Sequence, residues 1–419
     1  MTGLDAVVHG ANELVVGPDE RGRGLETVSD GALAVVDGSV AAVGPTEEVT
    51  REYPPENAAT AVDASGRAVL PGFVDPHTHA LFAGDRSDEF AAKLRGKSYQ
   101  DILAEGGGIL RTVRAVREAD DETLLSNLLG HLDTMLAHGT TTVEVKSGYG
   151  LDTETELRML RVAERADDAH PVDVVPTFMG AHAVPEGRDA DEYVDEVVDE
   201  QIPAVESQGI AEFCDVFCEE GVFSVAQSRR VLDAGREAGL TPKVHAEELA
   251  HLGGTQLAAE LGAASADHLL HATDDDIAAL VEAGVTPVLL PGTAFGLGAE
   301  YADAEAFLDA GAPAAVATDF NPNCHSHSVG FALSLSCVEM GLTPAEALIA
   351  GTRNAALALD RTDGLGTLRA GAPGDALVLD APTHVHVPYQ YGTNVVDTVL
   401  KGGAVVAESG TPTYQSSGP

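Results

Sequence analysis

The middle of the chain alternates strand-like and helix-like patterns, and this alternation limits its fold more than any other feature. Short apolar or β-branched runs occur at Ala68–Val74, Thr140–Val145, Val172–Phe178, Glu212–Phe217, Pro242–His245, Ala264–His268, Thr286–Leu290 and Ala314–Thr318. Between most of them the apolar period is 3.6, as in Glu154–Arg165, Tyr193–Ser207, Ala226–Glu237, Thr255–Leu261, Asp274–Glu282 and Ala304–Ala310. Eight strand–helix units over roughly 290 residues fit an α/β fold, a (β/α)8 TIM-like barrel. A doubly wound parallel sheet has the same alternation, and pattern alone leaves it open. The barrel carries a testable corollary: its reactive residues should stand just after its strands.

Both ends of the chain read as β structure. Ala32–Val36 and Ser39–Val43 flank Asp37-Gly38, a hairpin signal. Asp375–Asp380 reads as a strand. Val395–Leu400 and Ala404–Ala407, joined by Lys401-Gly402-Gly403, form another hairpin candidate. The expectation is a small β-sandwich domain built from both termini, residues 1–66 and 362–419, around a barrel of residues 67–361.

Charge narrows the partners. The chain has 67 Asp and Glu against 24 Lys and Arg, a formal charge of −43. Such a shell repels nucleic acid and anionic membrane surfaces, so neither is expected as a partner. The same shell suits molar salt, where the Debye length is about 3 Å and surface repulsion is screened. No apolar run reaches the length of a membrane span. Met1–Gly10 has neither a basic nor an apolar secretory region. Four cysteines, Cys214, Cys218, Cys324 and Cys337, are too few for a disulfide framework in this length. A reducing cytoplasm is the expected location. Cys214 and Cys218, four apart on one strand, read as buried apolar fillers.

The chemistry-bearing residues follow the strands. His77-Thr78-His79 closes the first, and period-two alternation puts both imidazoles on one side. Two neutral imidazoles on one face suit a metal such as zinc or iron. His245 closes the fifth strand, His268 the sixth, and Asp319 the eighth. Singly, His245 would serve as a core histidine and Asp319 as a helix cap. Five metal-competent groups at the ends of strands one, five, six and eight point instead to one shared site.

This set, with its flanking β domain, resembles the amidohydrolase superfamily. The segments Phe82–Phe90, Gly106–Ile109, Glu144–Leu151 and Asp319–Pro322 narrow the resemblance to its imidazolonepropionase family, over about Ala32 to Ala407. The resemblance implies a hydrolase that opens a ring C–N bond of 4-imidazolone-5-propanoate, giving N-formimidoyl-L-glutamate in histidine breakdown. It implies one divalent or trivalent ion, zinc or iron, on His77, His79, His245 and Asp319. Asp319, Glu248 and His268 take the catalytic roles, moving protons and polarising the attacked centre. Arg86, Tyr149, His182, Glu248, Asn321 and Asn323 take substrate-binding roles, with Arg86 matched to the propanoate carboxylate. A homodimer is compatible with the superfamily.

Several of these residues also have plainer readings. Arg86 would equally pair with Asp85 or Asp88 on the surface. Tyr149 would pack a loop, and His182 would be an ordinary loop histidine. Where the family continues with Gly and a small hydroxyl residue, this chain has Asn323 and Cys324. His325-Ser326-His327 repeats the His-x-His pattern, but in a loop, and reads as loop structure. Strand four lacks the bridging lysine of two-metal cyclic amidases, and Lys146 reads as an ion-pair or packing residue. A guanine- or cytosine-type deaminase would use a similar cage without needing Arg86. A non-catalytic scaffold of this fold would not need the full ligand set.

Overall fold

The computed structural model describes residues 3–97, 101–102 and 106–414. Eight parallel strands form one sheet: β1 (Phe73–Asp75), β2 (Thr140–Lys146), β3 (Asp173–Ala181), β4 (Phe213–Cys218), β5 (Thr241–Ala246), β6 (Ser265–His268), β7 (Thr286–Leu289) and β8 (Ala315–Val316). They neighbour one another in chain order, which excludes the doubly wound alternative. The ends of the sheet meet through residues just past β1 and β8. Thr78 bridges Phe320, Asp319 N donates to the His77 carbonyl at 3.1 Å, and Thr318 Oγ1 donates to Asp75 Oδ2 at 2.6 Å. The seam that closes the barrel thus runs between the two segments that carry His77, His79 and Asp319.

The first expected strand, Ala68–Val74, is two strands in two different sheets. Ala68–Pro71 pairs with Ala376–Leu379 and Glu13–Pro18, outside the barrel. The chain changes sheets at Gly72. Its N–H donates to the Asp375 carbonyl, while the next N–H, of Phe73, donates to the Gly139 carbonyl. A Cβ at Gly72 would collide with the Thr141 side chain, so only glycine lets the backbone turn there.

The terminal β structure is two packed sheets. One has four strands, all before residue 64. The other has seven, drawn from both termini. Their inner faces share a core that includes Val8, Leu33 and Val35 from the first sheet and Leu14, Val69, Val378 and Leu400 from the second. The Asp37-Gly38 turn has φ of 48° and 76°, the left-handed pair a tight hairpin needs. The polar tail Ser409–Pro419 lies outside the described residues beyond Tyr414.

Alternation along the strands sorts the barrel wall into two faces. Cys214, Val216 and Cys218 of β4 belong to the core that joins barrel and helices. Cys214 lies against Gly235 and Cys218 against Gly254, in the helices Val225–Glu237 and Gly254–Leu261. Phe213 and Asp215 point the other way, into the barrel. Phe213 joins Val74, Val175 and Val288 in an apolar floor. Lys243 Nζ stands 5.5 Å above the Phe213 ring and reaches Glu144 Oε1 at 2.8 Å. Above this ionic layer lie the imidazoles.

Candidate active site

Carboxylates from the ionic layer aim the histidines. Asp267 Oδ2 lies 2.7 Å from His77 Nδ1, with both side chains fully buried. Asp215 Oδ1 lies 3.1 Å from His245 Nδ1. A carboxylate on Nδ1 fixes the proton there and leaves Nε2 with a free electron pair. The Nε2 atoms of His79 and His245 are 3.3 Å apart. Asp319 Oδ1 is 3.6 Å from His77 Nε2 and 3.8 Å from His79 Nε2. Burial holds His77, His79 and His268 well below the usual imidazole range, so these rings are neutral.

A cation fits this arrangement. His77 Nε2 is buried with no hydrogen-bond partner, and the lone pairs of three imidazoles and a carboxylate converge beside it. His77, His79 and His245 form one group with ligand atoms within 4.8 Å of one another, and His77, His268 and Asp319 form another. Three nitrogens and one oxygen are a donor set that zinc and iron accept.

Backbone strain marks the same place. Asp319 has φ of 48° and His268 of 80°, in the left-handed region that side chains avoid. Asp319 is further fixed by its neighbours. Thr293 Oγ1 donates to its Oδ2 at 2.5 Å, and Asn321 Nδ2 donates to its Oδ1 at 3.0 Å. Asn321 Oδ1 in turn accepts from the backbone N–H groups of Asn323 and Cys324, which shapes the loop after β8.

Two adjacent glutamates after β5 part ways. Glu247 accepts the N–H groups of Leu252 to Thr255 and so caps the next helix. Glu248 is left beside His268, with Oε2 3.7 Å from Nε2. Burial, then the charges of Asp319 and Glu219, push its carboxyl up to about 8, so it is protonated at neutral pH.

Tyr149 and His182 form one wall. His182 stacks on His79 with centroids 4.6 Å apart, and Tyr149 lies 5.3 Å from His182 and 5.9 Å from His79. The Lys146–Leu151 loop is shaped by Glu156, which accepts from the N–H groups of Gly148, Gly150 and Leu151. His182 Nδ1 lies 3.0 Å from the Gly148 carbonyl, an approach a Cβ at Gly148 would block.

Arg86 is not paired with Asp85 or Asp88. Its Nε donates to Glu89 at 2.8 Å in a buried pair, because the helix Ser87–Leu94 sets Glu89 one turn on, while Asp88 goes to Arg111. The structure gives Arg86 no contact with the imidazoles. Lys93 feels the like charge of Arg86 and donates to Asn323 Oδ1 at 2.7 Å. Asn323 does not adopt a positive φ. The Cys324 thiol is buried against the Thr318 carbonyl and Gly292. His325 and His327 pack with Phe320 and His131 rather than with the cage.

Sequence reasoning missed Asp215, Asp267, Thr293 and Lys93. Asp215 and Asp267 had a signal, since an acidic residue at an inward position of a barrel strand needs a partner. Thr293 and Lys93 had none, because both reach the site from helices.

The Amidohydrolase family profile matches residues 68–406, and that of an imidazolonepropionase-like composite domain of bacteria matches residues 31–55. The imidazolonepropionase of Haloarcula marismortui is 83% identical, over 99% of this chain and 98% of that one. That of Halobacterium salinarum is 66% identical, over 98% and 100%. That of Geobacillus kaustophilus is 48% identical, over 93% of each. Among solved structures, an adenosine deaminase from Xanthomonas campestris with bound zinc superposes with a TM-score of 0.75 at 18% identity, over 99% of this chain and 95% of that one. A triazine hydrolase variant gives 0.76 at 16%, over 98% and 96%. These two likenesses concern the fold alone.

Proposed function

The chain belongs to the amidohydrolase family, among its imidazolonepropionases, and from that premise we propose that its buried imidazole–carboxylate cage opens the ring of 4-imidazolone-5-propanoate. The observation that carries the reading is the convergence of His77, His79, His245 and Asp319 at the barrel mouth, with His77 Nε2 left unpaired. These four residues would hold one ion, zinc or iron. A bound ion supplies acidified water near neutral pH and polarises the attacked carbon.

The chain's own groups do the rest. Arg86, with Lys93 beside it, takes the propanoate carboxylate. Tyr149 and His182 flank the ring. Glu248, protonated at neutral pH, donates to a ring nitrogen, and His268 steadies the attacked centre. Asp319 takes a proton from the attacking water and passes it to the departing nitrogen. The C–N bond breaks, oxygen joins the carbon, and the product is N-formimidoyl-L-glutamate. Asn321 keeps Asp319 in place, and Asn323 holds Lys93.

Product analysis tests the reading. Incubation of the metal-loaded protein with imidazolonepropanoate should yield a species heavier by one water, with no ammonia. Ammonia release would favour the deaminase alternative.

The four free cysteines suit a reducing compartment, and we place the protein in the cytoplasm. We also propose a homodimer joined over an uncharged face. No Asp, Glu, Lys or Arg occurs from Phe320 to Val338 or from Ala381 to Val396. These stretches meet at a cleft of about 360 Å³ lined by His325, Phe331 and Tyr391. Phe295 packs on Phe331, and Phe295, Tyr389 and Tyr391 are exposed. Between two copies that each carry −43, an uncharged face adds the least local repulsion to a contact. Light scattering at molar KCl should give twice the chain mass, and Phe295→Asp with Tyr391→Asp should halve it. A monomeric wild type contradicts the dimer.

A further inference from the structure

The ionic layer beneath the cage holds more than the two carboxylates that aim histidines. Glu144, Asp215 and Asp267 face Lys146 and Lys243, and all five side chains are fully buried. Asp215, His245 and Asp267 offer ligand atoms within 4.8 Å of one another, the same closeness the cage itself shows. Asp267 Oδ1 is buried with no hydrogen-bond partner. Buried carboxylates in such a cluster require a cation.

The cation present is an ammonium. Lys146 Nζ lies 2.6 Å from Asp215 Oδ2, 2.7 Å from Glu144 Oε2 and 3.9 Å from Asp267 Oδ2. It therefore sits among three carboxylates from three strands, β2, β4 and β6. Lys243 balances the far side, with Nζ 2.8 Å from Glu144 Oε1 and from the Pro76 carbonyl.

We propose that Lys146 is the built-in cation of a second metal position, and that its ammonium keeps the barrel to a single ion. The vacated position would take a divalent cation on the carboxylate oxygens of Glu144, Asp215 and Asp267, while His245 stays a ligand of the cage above. An all-carboxylate set suits manganese as well as zinc. The inference rests on the one-ion cage proposed above.

Metal stoichiometry tests it without reference to activity. Wild type and Lys146→Ala are dialysed against zinc, then against excess manganese, and the metal per chain is measured. The expected result is one ion in the wild type and two in Lys146→Ala. One ion in each overturns this inference alone. No ion in the wild type overturns the cage, and this inference with it. Two ions in the wild type also overturn it. If Lys146→Ala does not fold when metal-free, its folding is followed by circular dichroism as manganese is added. Recovery of the fold with metal supports the proposal. A variant unfolded at every metal concentration contradicts it, since Lys146 would then act as a strut and not as a cation.

Discussion

Replacing Asp267 by asparagine isolates the charge that aims His77. The native contact is 2.7 Å between fully buried groups. The amide would keep the size and still accept a hydrogen bond from Nδ1, but without charge. A hydrogen bond to a charged group contributes about 1.5–3 kcal/mol, against about 1 kcal/mol for a neutral one. The loss is then about 0.5–2 kcal/mol, or roughly 2- to 30-fold in an equilibrium constant. That loss should appear in metal affinity, because the carboxylate raises the basicity of His77 Nε2. The fold should survive, since Lys146 keeps Glu144 and Asp215 as partners. The assay is competition for zinc with a chelator of known affinity, at constant pH and salt. A Kd within twofold of wild type, in a folded variant, would refute the idea that Asp267 supports the cage. Asp267→Ala should weaken binding further, because it leaves His77 Nδ1 with no partner.

Other expectations follow from the same geometry. Arg86→Ala should lower kcat/KM for imidazolonepropanoate at least tenfold, roughly the worth of one charge-assisted carboxylate contact; an unchanged value would remove Arg86 from the substrate site. Glu248 carries a carboxyl raised from 4.5 to about 8, so between those pH values the folded chain binds more protons than the unfolded one. Stability of the metal-free protein should therefore fall as pH rises through that window, by up to about 1.4 kcal/mol per pH unit. Denaturation of Glu248→Gln should lack that part of the slope, and identical slopes would contradict the raised carboxyl. Salt should matter as well. A charge of −43 over 16,000 Å² of surface should make Tm climb between 0.1 and 2 M KCl, and a flat Tm would break the high-salt reading.

The barrel was legible because the alternation of strand and helix survives without tertiary information. The candidate site was legible for a related reason. His77, His79, His245, His268 and Asp319 stand at or just past strand ends, so their place in the sequence is close to their place in space. What stayed hidden depends on register and on approach from elsewhere. The run Ala68–Val74 is uniformly apolar, and nothing in it shows that Gly72 hands the chain from one sheet to another. Glu247 and Glu248 are chemically alike, and only the fold shows that the first caps a helix while the second faces His268. Alternation puts Asp215 and Asp267 inside the barrel, but not beside His245 and His77. Lys146 read as an ion-pair residue and is one, yet its three carboxylate partners lie on three strands and appear only on folding.

In the proposed function, a metal held by His77, His79, His245 and Asp319 would drive ring opening. The most direct test is a titration of the metal-free protein with zinc in molar salt, following loss of imidazolonepropanoate absorbance. Activity should be absent at first and rise linearly to a break at one ion per chain. Full activity before any metal is added, or none at saturation in a folded protein, would contradict the claim.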